Sequence, residues 1–515
     1  MTKKTDQQAP NIREIMADPK KAIAYFASIP AEAWEGIQLK TALAVFNKAS
    51  VETEAYGEFL RSHNIDPLTI GTIEDFYKLP TIDKDNYVKR YGFGKINAVK
   101  AGENLYSFSL SSGTTDRPTL WPRYYAQEEG YVGIFDTFLT LYWAIDKKRT
   151  LAINAFNLGV YTSGVAVNIA LRPLTQKYRM TLATTGSDLD NIVETVEQLS
   201  GHYDQTIIFS YPTFVRTVLD KLKKANVDLK KLNLKIFIAG EGNTVEWVQY
   251  VNKLVTGDPQ NLTTIIDGYG TTDLGLLGVS SALTNLIRHL ANKDKGIREE
   301  LFGDTKIVPT LFQYVTNNYF IEQMNGELYF TSSSATPLVR YNLHDRGGVI
   351  KFREMEEILK KHGYDYKKLI KKAGLSEGII WQQPFVYCFG RRDDTVIVGG
   401  GNVFPEQIAP ALFNPGITDV HSFKLGLQVD EQQHQMMFIV LELKYGVKYG
   451  KRRLLNLEKK YHDIILDHLM KVNSDYAIAY KSDPIYCDPI IKIYEFGAGP
   501  FKEDSDRTKP KLVVK

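Results

Sequence analysis

From about residue 105 onward, short β-prone apolar runs alternate with longer amphipathic stretches, and this alternation constrains the fold more than any other feature of the chain. LAINAF, IIFSYP, KIFIAG, TTIIDGYG and ELYFTSS read as strands, and Asp190 to Leu199 and Phe214 to Lys224 as helices between them. Strands joined through helices pair in parallel, because the crossover brings the chain back to start each strand from the same end. The expected fold is therefore α/β, with a largely parallel sheet flanked by helices. In such sheets ligands bind at the carboxyl ends of strands, so the loops that follow strands are where chemistry is expected. Residues 11 to 90 read as helical, with capped amphipathic segments around Ala17 to Phe26 and Ile37 to Lys48. Residues 353 to 373 (REMEEILKKHGYDYKKLIKKA) read as a solvated charged helix or an insertion. After FGRRDDTVIVGGGNVFP a second, smaller α/β pattern begins: MMFIVLELK as a strand, Lys451 to Met470 as a helix, and Ile490 to Phe496 as another strand. A boundary near Asp393 divides the chain into residues 1–392 and 393–515.

Composition narrows the function classes. At 43% hydrophobic residues the chain can build sizeable cores, and a net charge of +3 over 515 residues gives no reason to expect a nucleic-acid or membrane partner. Two cysteines, Cys388 and Cys487, exclude a disulfide framework and a four-cysteine zinc site, and they fit a reducing cytoplasm. The opening MTKKTDQQAP lacks the apolar core of a secretory signal. Gly130 to Ile145 is too short to span a bilayer and contains Asp136, and Leu151 to Ala170 is interrupted by Asn154, Asn157 and Asn168. Both are expected to be buried elements.

Four stretches carry residues suited to phosphate chemistry. Ser111-Ser112-Gly113-Thr114-Thr115-Asp116-Arg117-Pro118-Thr119 follows the apparent strand LYSFSL. Its hydroxyls and backbone N–H groups can wrap phosphate oxygens, although it lacks the GxxxxGK[ST] spacing of a P-loop. Asp267-Gly268-Tyr269-Gly270-Thr271-Thr272-Asp273 reads as a strand entering a glycine-punctuated turn. There an aromatic ring can stack on a base, Thr272 can reach a phosphate, and Asp273 can hold Mg²⁺. Leu338-Val339-Arg340-Tyr341-Asn342-Leu343-His344-Asp345-Arg346-Gly347 places the Asp345 carboxylate after a strand, where it can accept both ribose hydroxyls or pair with a neighbouring arginine. Gly390-Arg391-Arg392-Asp393-Asp394-Thr395, followed by VIVGGGNVFP, joins a charged turn to a strand and a glycine-rich turn. Each stretch alone is compatible with an ordinary turn or loop.

Taken in order, they resemble the adenylate-forming superfamily, the acyl-CoA synthetases and related adenylation domains, and most nearly the phenylacetate–CoA ligases. The phrases SSGTTDRPT, YGTTD, LVRYNLHDRG and GRRDDTVIVGGGNVFPEQI stand in that family's order. So do the weaker NAFNLGVYTSG, AGEGNT and LPTIDKDNY, and the resemblance spans roughly residues 75 to 515. It implies a large N-terminal domain of sheets flanked by helices that binds ATP and the acyl group, and a small mobile C-terminal α/β domain.

Residue by residue, the resemblance implies that Ser111, Ser112, Gly113, Thr114 and Thr115 close over the ATP phosphates. Asp116-Arg117 stands where the family has Gly-Lys. Tyr269, Gly270, Thr272 and Asp273 match the AMP-phosphate and Mg²⁺ phrase, with Asp in place of Glu. Gly240 and Glu241 match the phrase along the adenine. Asp345 matches the ribose-binding aspartate, Arg391 the arginine near ribose and hinge, and Asp393 the pivot of the small domain. Lys509 aligns with the lysine that contacts both the carboxylate and the α-phosphate during adenylation, and Lys511 is its rival. A fixed ammonium there stabilises charge on the pentacovalent phosphate. The acyl pocket is expected near Ala155 to Gly164 and Ser210 to Phe214, lined by Phe156, Tyr161, Tyr211 and Phe214.

The implied reaction uses ATP and Mg²⁺ to convert a small carboxylic acid, of aryl or arylacetic type, into its acyl-AMP. The acceptor is the thiol of coenzyme A or the phosphopantetheine of an acyl carrier protein, with an amine as a further alternative. Departures at Asp116, Asp273, Gly399 and Thr508 keep a non-catalytic nucleotide-binding protein open as a different class. Neither a GxSxG elbow nor a GxGxxG fingerprint after a strand is present, which argues against a hydrolase or a dehydrogenase. A homodimer is left open, and the location implied is cytoplasmic.

Overall fold

The structure, a computed structural model, describes residues 12–100, 102–111, 119–159, 162–303, 305, 307–314, 316–391, 396–444, 446–502 and 513–514. It is α/β. A hairpin of β1 (Ser107–Ser111) and β2 (Thr119–Arg123) comes first. The central sheet then takes β3 (Thr150–Asn154), β4 (Met180–Ala183), β5 (Gln205–Ser210), β6 (Lys235–Ala239), β7 (Ile265–Thr271) and β8 (Gly275–Val279). It continues with β9 (Thr310–Tyr314), β10 (Tyr319–Met324), β11 (Glu327–Ser332), β12 (Leu338–Ile350) and β13 (Phe385–Arg391). These eleven strands lie in the order β10-β11-β12-β13-β9-β8-β7-β6-β5-β3-β4.

Only half of this sheet is parallel. β4, β3, β5, β6 and β7 run in parallel through helical crossovers, as the alternation predicts. From β7 across β8, β9, β13, β12, β11 and β10 every pairing is antiparallel. The expectation of a largely parallel sheet fails there for a local reason. After β7 and again after β10 the chain reverses in a tight turn, which joins antiparallel strands only, and the longer helical excursions after β8 and β12 also return antiparallel. The parallel strands β3 and β5 are buried along their whole length, and each carries an unbroken apolar run at its centre, Leu151–Ile153 and Ile207–Phe209.

Helices cover both halves. The parallel half packs on helices Tyr125–Trp143, Thr162–Lys177 and Pro212–Lys224 in one core. The antiparallel half packs on the N-terminal helices Ala31–Glu52 and Glu54–Ser62 through Phe46, Tyr56, Phe59, Phe330 and Tyr341. The charged stretch 353–373 forms helices Phe352–Lys361 and Tyr366–Lys372. The expected helix is present, but it is not solvated on every face. Phe352, Met355, Leu359 and Ile370 sit at helical spacing and are buried in a third core with Ile287 and Phe385.

Residues from 396 onward build separate, smaller sheets. β14 (Val396–Val398) and β15 (Gly401–Val403) form a hairpin. β16 (Val420–Val429), β17 (Gln435–Leu443), β18 (Ile490–Tyr494) and β19 (Val513–Val514) form a four-stranded sheet in the order β18-β17-β16-β19. Helix Lys451–Val472 covers it with Tyr461, Ile465 and Leu469. Among the described residues no helix is long and apolar enough to cross a membrane.

Candidate active site

The glycine phrase at Asp267 is strand rather than turn: β7 runs through Asp-Gly-Tyr-Gly-Thr, and the chain reverses at Thr272–Leu274. Gly268 leaves room for a ring, since a Cβ there would stand 2.8 Å from Phe237 Cζ. Asp345 likewise lies within a strand, the irregular β12, opposite Arg391 of β13. Irregular pairing in β11–β12 and left-handed backbone at Arg340 (φ 52°) and His344 (φ 61°) break the usual in–out alternation of β12.

Two phenols then tie β7 and the turn after it to β12. The Tyr269 hydroxyl donates to Asp345 Oδ2 at 2.5 Å, and its ring stacks on Phe312. The Tyr341 hydroxyl donates to Asp273 Oδ2 at 2.6 Å. Arg123, buried at the end of β2, donates from Nη2 to the carbonyl oxygen of Thr272. The turn that presents Thr272 and Asp273 is thus held from both sides. Ser111 ends β1 and accepts hydrogen bonds from Lys84 Nζ and Trp121 Nε1, each at 3.3 Å. Lys84 follows a segment fixed to β12, where Ile82 N donates to Arg340 O and Asn342 N to Ile82 O. Tyr269, Gly270, Thr272, Asp273 and Asp345 therefore share one end of the sheet, with a buried carboxylate at each side.

A second cluster surrounds Glu241, which is buried after β6. Its carboxylate accepts the Thr213 backbone N–H at 3.1 Å, the Thr213 hydroxyl at 2.8 Å, and the Gly400 N–H at 2.5 Å. The ring of Tyr211 is enclosed by two glycines in left-handed conformation. A Cβ on Gly240 would lie 3.1 Å from Tyr211 Cε1, and one on Gly400 2.5 Å from the same atom. Phe156 meets Tyr211 edge-on at 4.9 Å. Tyr211, Phe214, Asn157, Gly399 and Cys487 line a cavity of about 10 Å³, room for one water. The glycine-rich turn between β14 and β15 thus reaches the expected acyl region.

Burial pushes the Glu241 carboxyl up to about 7, against the lowering effect of its hydrogen bonds from Thr213 and Gly400. A carboxyl raised by burial favours the buried arrangement in its neutral form. That contribution is complete below the ordinary value of 4.5 and is lost as pH rises through about 7. Relative to Glu241→Gln, the protein is expected to lose up to about 3 kcal/mol of stability over that interval. Thermal midpoints of both proteins measured across the interval test this, and parallel curves would refute it.

Asn243 and Arg288 extend this network. Asn243 Nδ2 donates to Asp267 Oδ2 at 2.5 Å, and Arg288 donates to the Asn243 side chain and carbonyl at 2.9 and 2.7 Å. Burial raises Asp267 to about 7 and lowers Arg288 to about 10. The loop after β6 is thereby pinned to β7.

Of the residues expected from sequence, Ser112, Gly113, Thr114, Thr115, Asp116, Arg117, Tyr161, Asp393, Lys509 and Lys511 lie outside the described residues. Arg391 is described through its backbone. Sequence reasoning missed Arg123, Thr213, Tyr341 and Arg288. Tyr341 stands inside a quoted phrase and offered a signal. Arg123 and Arg288 stand in stretches with no motif.

No family model matches the chain. It is similar to the phenylacetate-coenzyme A ligase of Aromatoleum evansii, 21% identical over 394 residues, which cover 74% of each chain. It is 23% identical over 346 residues to the phenylacetate-coenzyme A ligase of Pseudomonas putida, covering 66% of this chain and 67% of the relative. Among solved structures, 2-hydroxyisobutyryl-CoA ligase with 2-HIB-AMP and CoA in its thioesterification state superposes with a TM-score of 0.63 at 14% identity. That match covers 95% of this chain and 90% of the other. An open conformation of the same ligase gives 0.53 at 12% identity, covering 100% and 97%.

Proposed function

We propose that this chain, an adenylate-forming enzyme similar to the phenylacetate–CoA ligases, activates a small carboxylic acid with ATP and passes the acyl group to the thiol of coenzyme A. The observation that carries this reading is the convergence of Thr272, Asp273, Tyr269 and Asp345 at one end of the central sheet, each carboxylate fixed by a phenol. In the first half-reaction the substrate carboxylate attacks the α-phosphorus of ATP. A C–O–P bond forms, the bond to the β-phosphate oxygen breaks, and pyrophosphate leaves. Asp345 is suited to the ribose hydroxyls. The Thr272 hydroxyl is suited to the α-phosphate, on a turn that Arg123 holds through the Thr272 carbonyl. Asp273, an oxygen donor oriented by Tyr341, is the residue that would hold Mg²⁺, which when bound offsets phosphate charge. Lys509, with Lys511 as its rival, neutralises the charge that develops on phosphorus.

In the second half-reaction the thiolate attacks the acyl carbon and AMP leaves. The part of the chain beyond Asp393 turns as a unit for this step, bringing the Gly399–Gly401 turn to Tyr211 and Glu241. An aryl or arylacetic acid suits the rings near this point, where Phe156 meets Tyr211 edge-on. The relatives' names favour coenzyme A over a carrier protein as acceptor.

The test is ATP–pyrophosphate exchange with a panel of aryl, arylacetic, fatty and amino acids, beside Lys509→Ala. Exchange that depends on one acid and falls by roughly 100-fold or more in the variant is the expected result. Exchange that survives in Lys509→Ala moves the role to Lys511. ATP binding without exchange for any acid overturns the enzymatic reading in favour of a nucleotide-binding protein.

A further inference from the structure

Helix Pro212–Lys224 carries Thr213, Arg216, Thr217 and Asp220 at three- and four-residue spacing, so all four share one face. Thr213 holds Glu241, which accepts the Gly400 N–H. The other three hold the C-terminal part directly. Arg216 Nε donates to the Gln432 carbonyl oxygen at 2.9 Å, and its guanidinium lies over the Tyr250 ring. Thr217 donates to Asp483. Asp220 Oδ2 stands 2.6 Å from His434 Nε2. His434 is 5% exposed, so water competes little for these bonds. Its Nδ1 is 2.7 Å from Asp430 Oδ2, and its ring lies flat on Tyr486 at 4.1 Å, inclined by 9°. The imidazole is fixed on both edges and one face, at the junction of the two parts of the chain.

We propose that His434 is a positioning residue of the thioester-forming half-reaction. It catches the C-terminal part on helix Pro212–Lys224 in the arrangement that sets the Gly399–Gly401 turn against Tyr211 and Glu241. This rests on the function proposed above, for which that arrangement serves transfer and not adenylation. The imidazole engages Asp220, Asp430 and Tyr486, none of which is proposed above to hold the nucleotide or the acyl group. It acts through the helix face it engages, whose first turn leads to the acyl region. Removing it takes away the one side chain that bridges Asp220 and Asp430, leaving Asp220 with Arg216 and Asp430 with the backbone N–H groups of Gln432 and residue 434, so the catch weakens while the end of the sheet proposed to face ATP keeps all its contacts.

The experiment compares His434→Ala and Asp220→Ala, which cut the same bond from its two sides, with wild type. Exchange reads adenylation, and single-turnover release of AMP from preformed acyl-AMP on adding coenzyme A reads transfer. Transfer is expected to fall about tenfold or more, the fold-change for losing a charged hydrogen bond, with exchange within about threefold of wild type. Parallel losses in both half-reactions, or none in either, overturn the proposal. A second readout needs no acid. Ser187 and Ser482 bring their hydroxyls to 2.5 Å across the same junction, so Ser187→Cys with Ser482→Cys is expected to form a disulfide that peptide mapping identifies. Adding His434→Ala is expected to slow its formation about fivefold or more. An unchanged rate overturns the catch itself, whereas slowed trapping in a protein without exchange overturns only the enzymatic reading.

Discussion

Replacing Arg340 by methionine is expected to destabilise the protein by about 3–5 kcal/mol, the range for breaking a buried ion pair from one side. At an unfolding entropy of about 2.1 cal/mol/K per residue, residues 1–392 shift by about 1.2 °C per kcal/mol, so the thermal midpoint falls by roughly 4–6 °C. Arg340 is 5% exposed, and its guanidinium meets Glu322, itself 8% exposed, with Nη2 to Oε1 at 3.0 Å and Nε to Oε2 at 3.2 Å. Burial raises the Glu322 carboxyl, and Arg340 opposes that rise. Nη1 donates to the carbonyls of Tyr77 and Leu79, so the variant also leaves two backbone acceptors unmatched. Methionine keeps the unbranched stem and meets the same left-handed backbone at φ 52°, which isolates the loss of charge. Adding Glu322→Leu is expected to restore most of the stability, because no buried charge is then left alone. Thermal scans of the single and double variants check this, and a single variant that melts like wild type refutes it. The effect reaches the site, since the tethered segment leads to Lys84 beside Ser111.

Replacing Gly400 by alanine is expected to slow acyl transfer by roughly 30- to 4,000-fold while sparing most of the exchange activity. Gly400 has φ 81°, which costs an L residue about 1–2 kcal/mol. The added Cβ would stand 2.5, 2.6 and 2.8 Å from Cε1, Cζ and Cδ1 of Tyr211, and overpacking of this kind costs about 1–3 kcal/mol. The ring has little freedom to withdraw, because it is 6% exposed and braced by Phe156. The arrangement that joins the turn to Tyr211 therefore loses population by that sum, and transfer falls with it. Stopped-flow release of AMP and pyrophosphate exchange on the same preparation check the split. Equal losses would place Gly400 outside the transfer step.

How far the fold is legible before the structure differs between the two halves of the central sheet. β3, β5, β6 and β7 announce themselves as apolar runs between amphipathic helices, and all four pair in parallel. The antiparallel half is harder to read because its strands are joined by both tight turns and long excursions. Residues 353–373 illustrate the difficulty: eleven charged side chains hide a face of Phe352, Met355, Leu359 and Ile370 that only the three-dimensional packing exposes. At the candidate site, the order of phrases points to the residues proposed to face a nucleotide, Thr272, Asp273 and Asp345. Their supports were not found. Arg123 acts on a carbonyl 149 residues away, and Tyr341 on a carboxylate 68 residues away. No local pattern encodes such pairings, whereas phosphate-binding turns do leave one.

β13 lies between β9 and β12, although 70 residues of chain separate Tyr314 from Phe385. The meander of β10, β11 and β12 therefore has no strand neighbour in the rest of the sheet until residues 385–391 have been made. During synthesis on a ribosome the parallel half can collapse early, while the meander waits as an exposed three-stranded edge. Tyr269 and Asp345 meet only when β13 slots in and closes the gap. Assembly of the end of the sheet that carries Tyr269 and Asp345 is thus delayed to a late moment of translation, and a nascent chain released before residue 385 would expose two unpaired sheet edges to its neighbours.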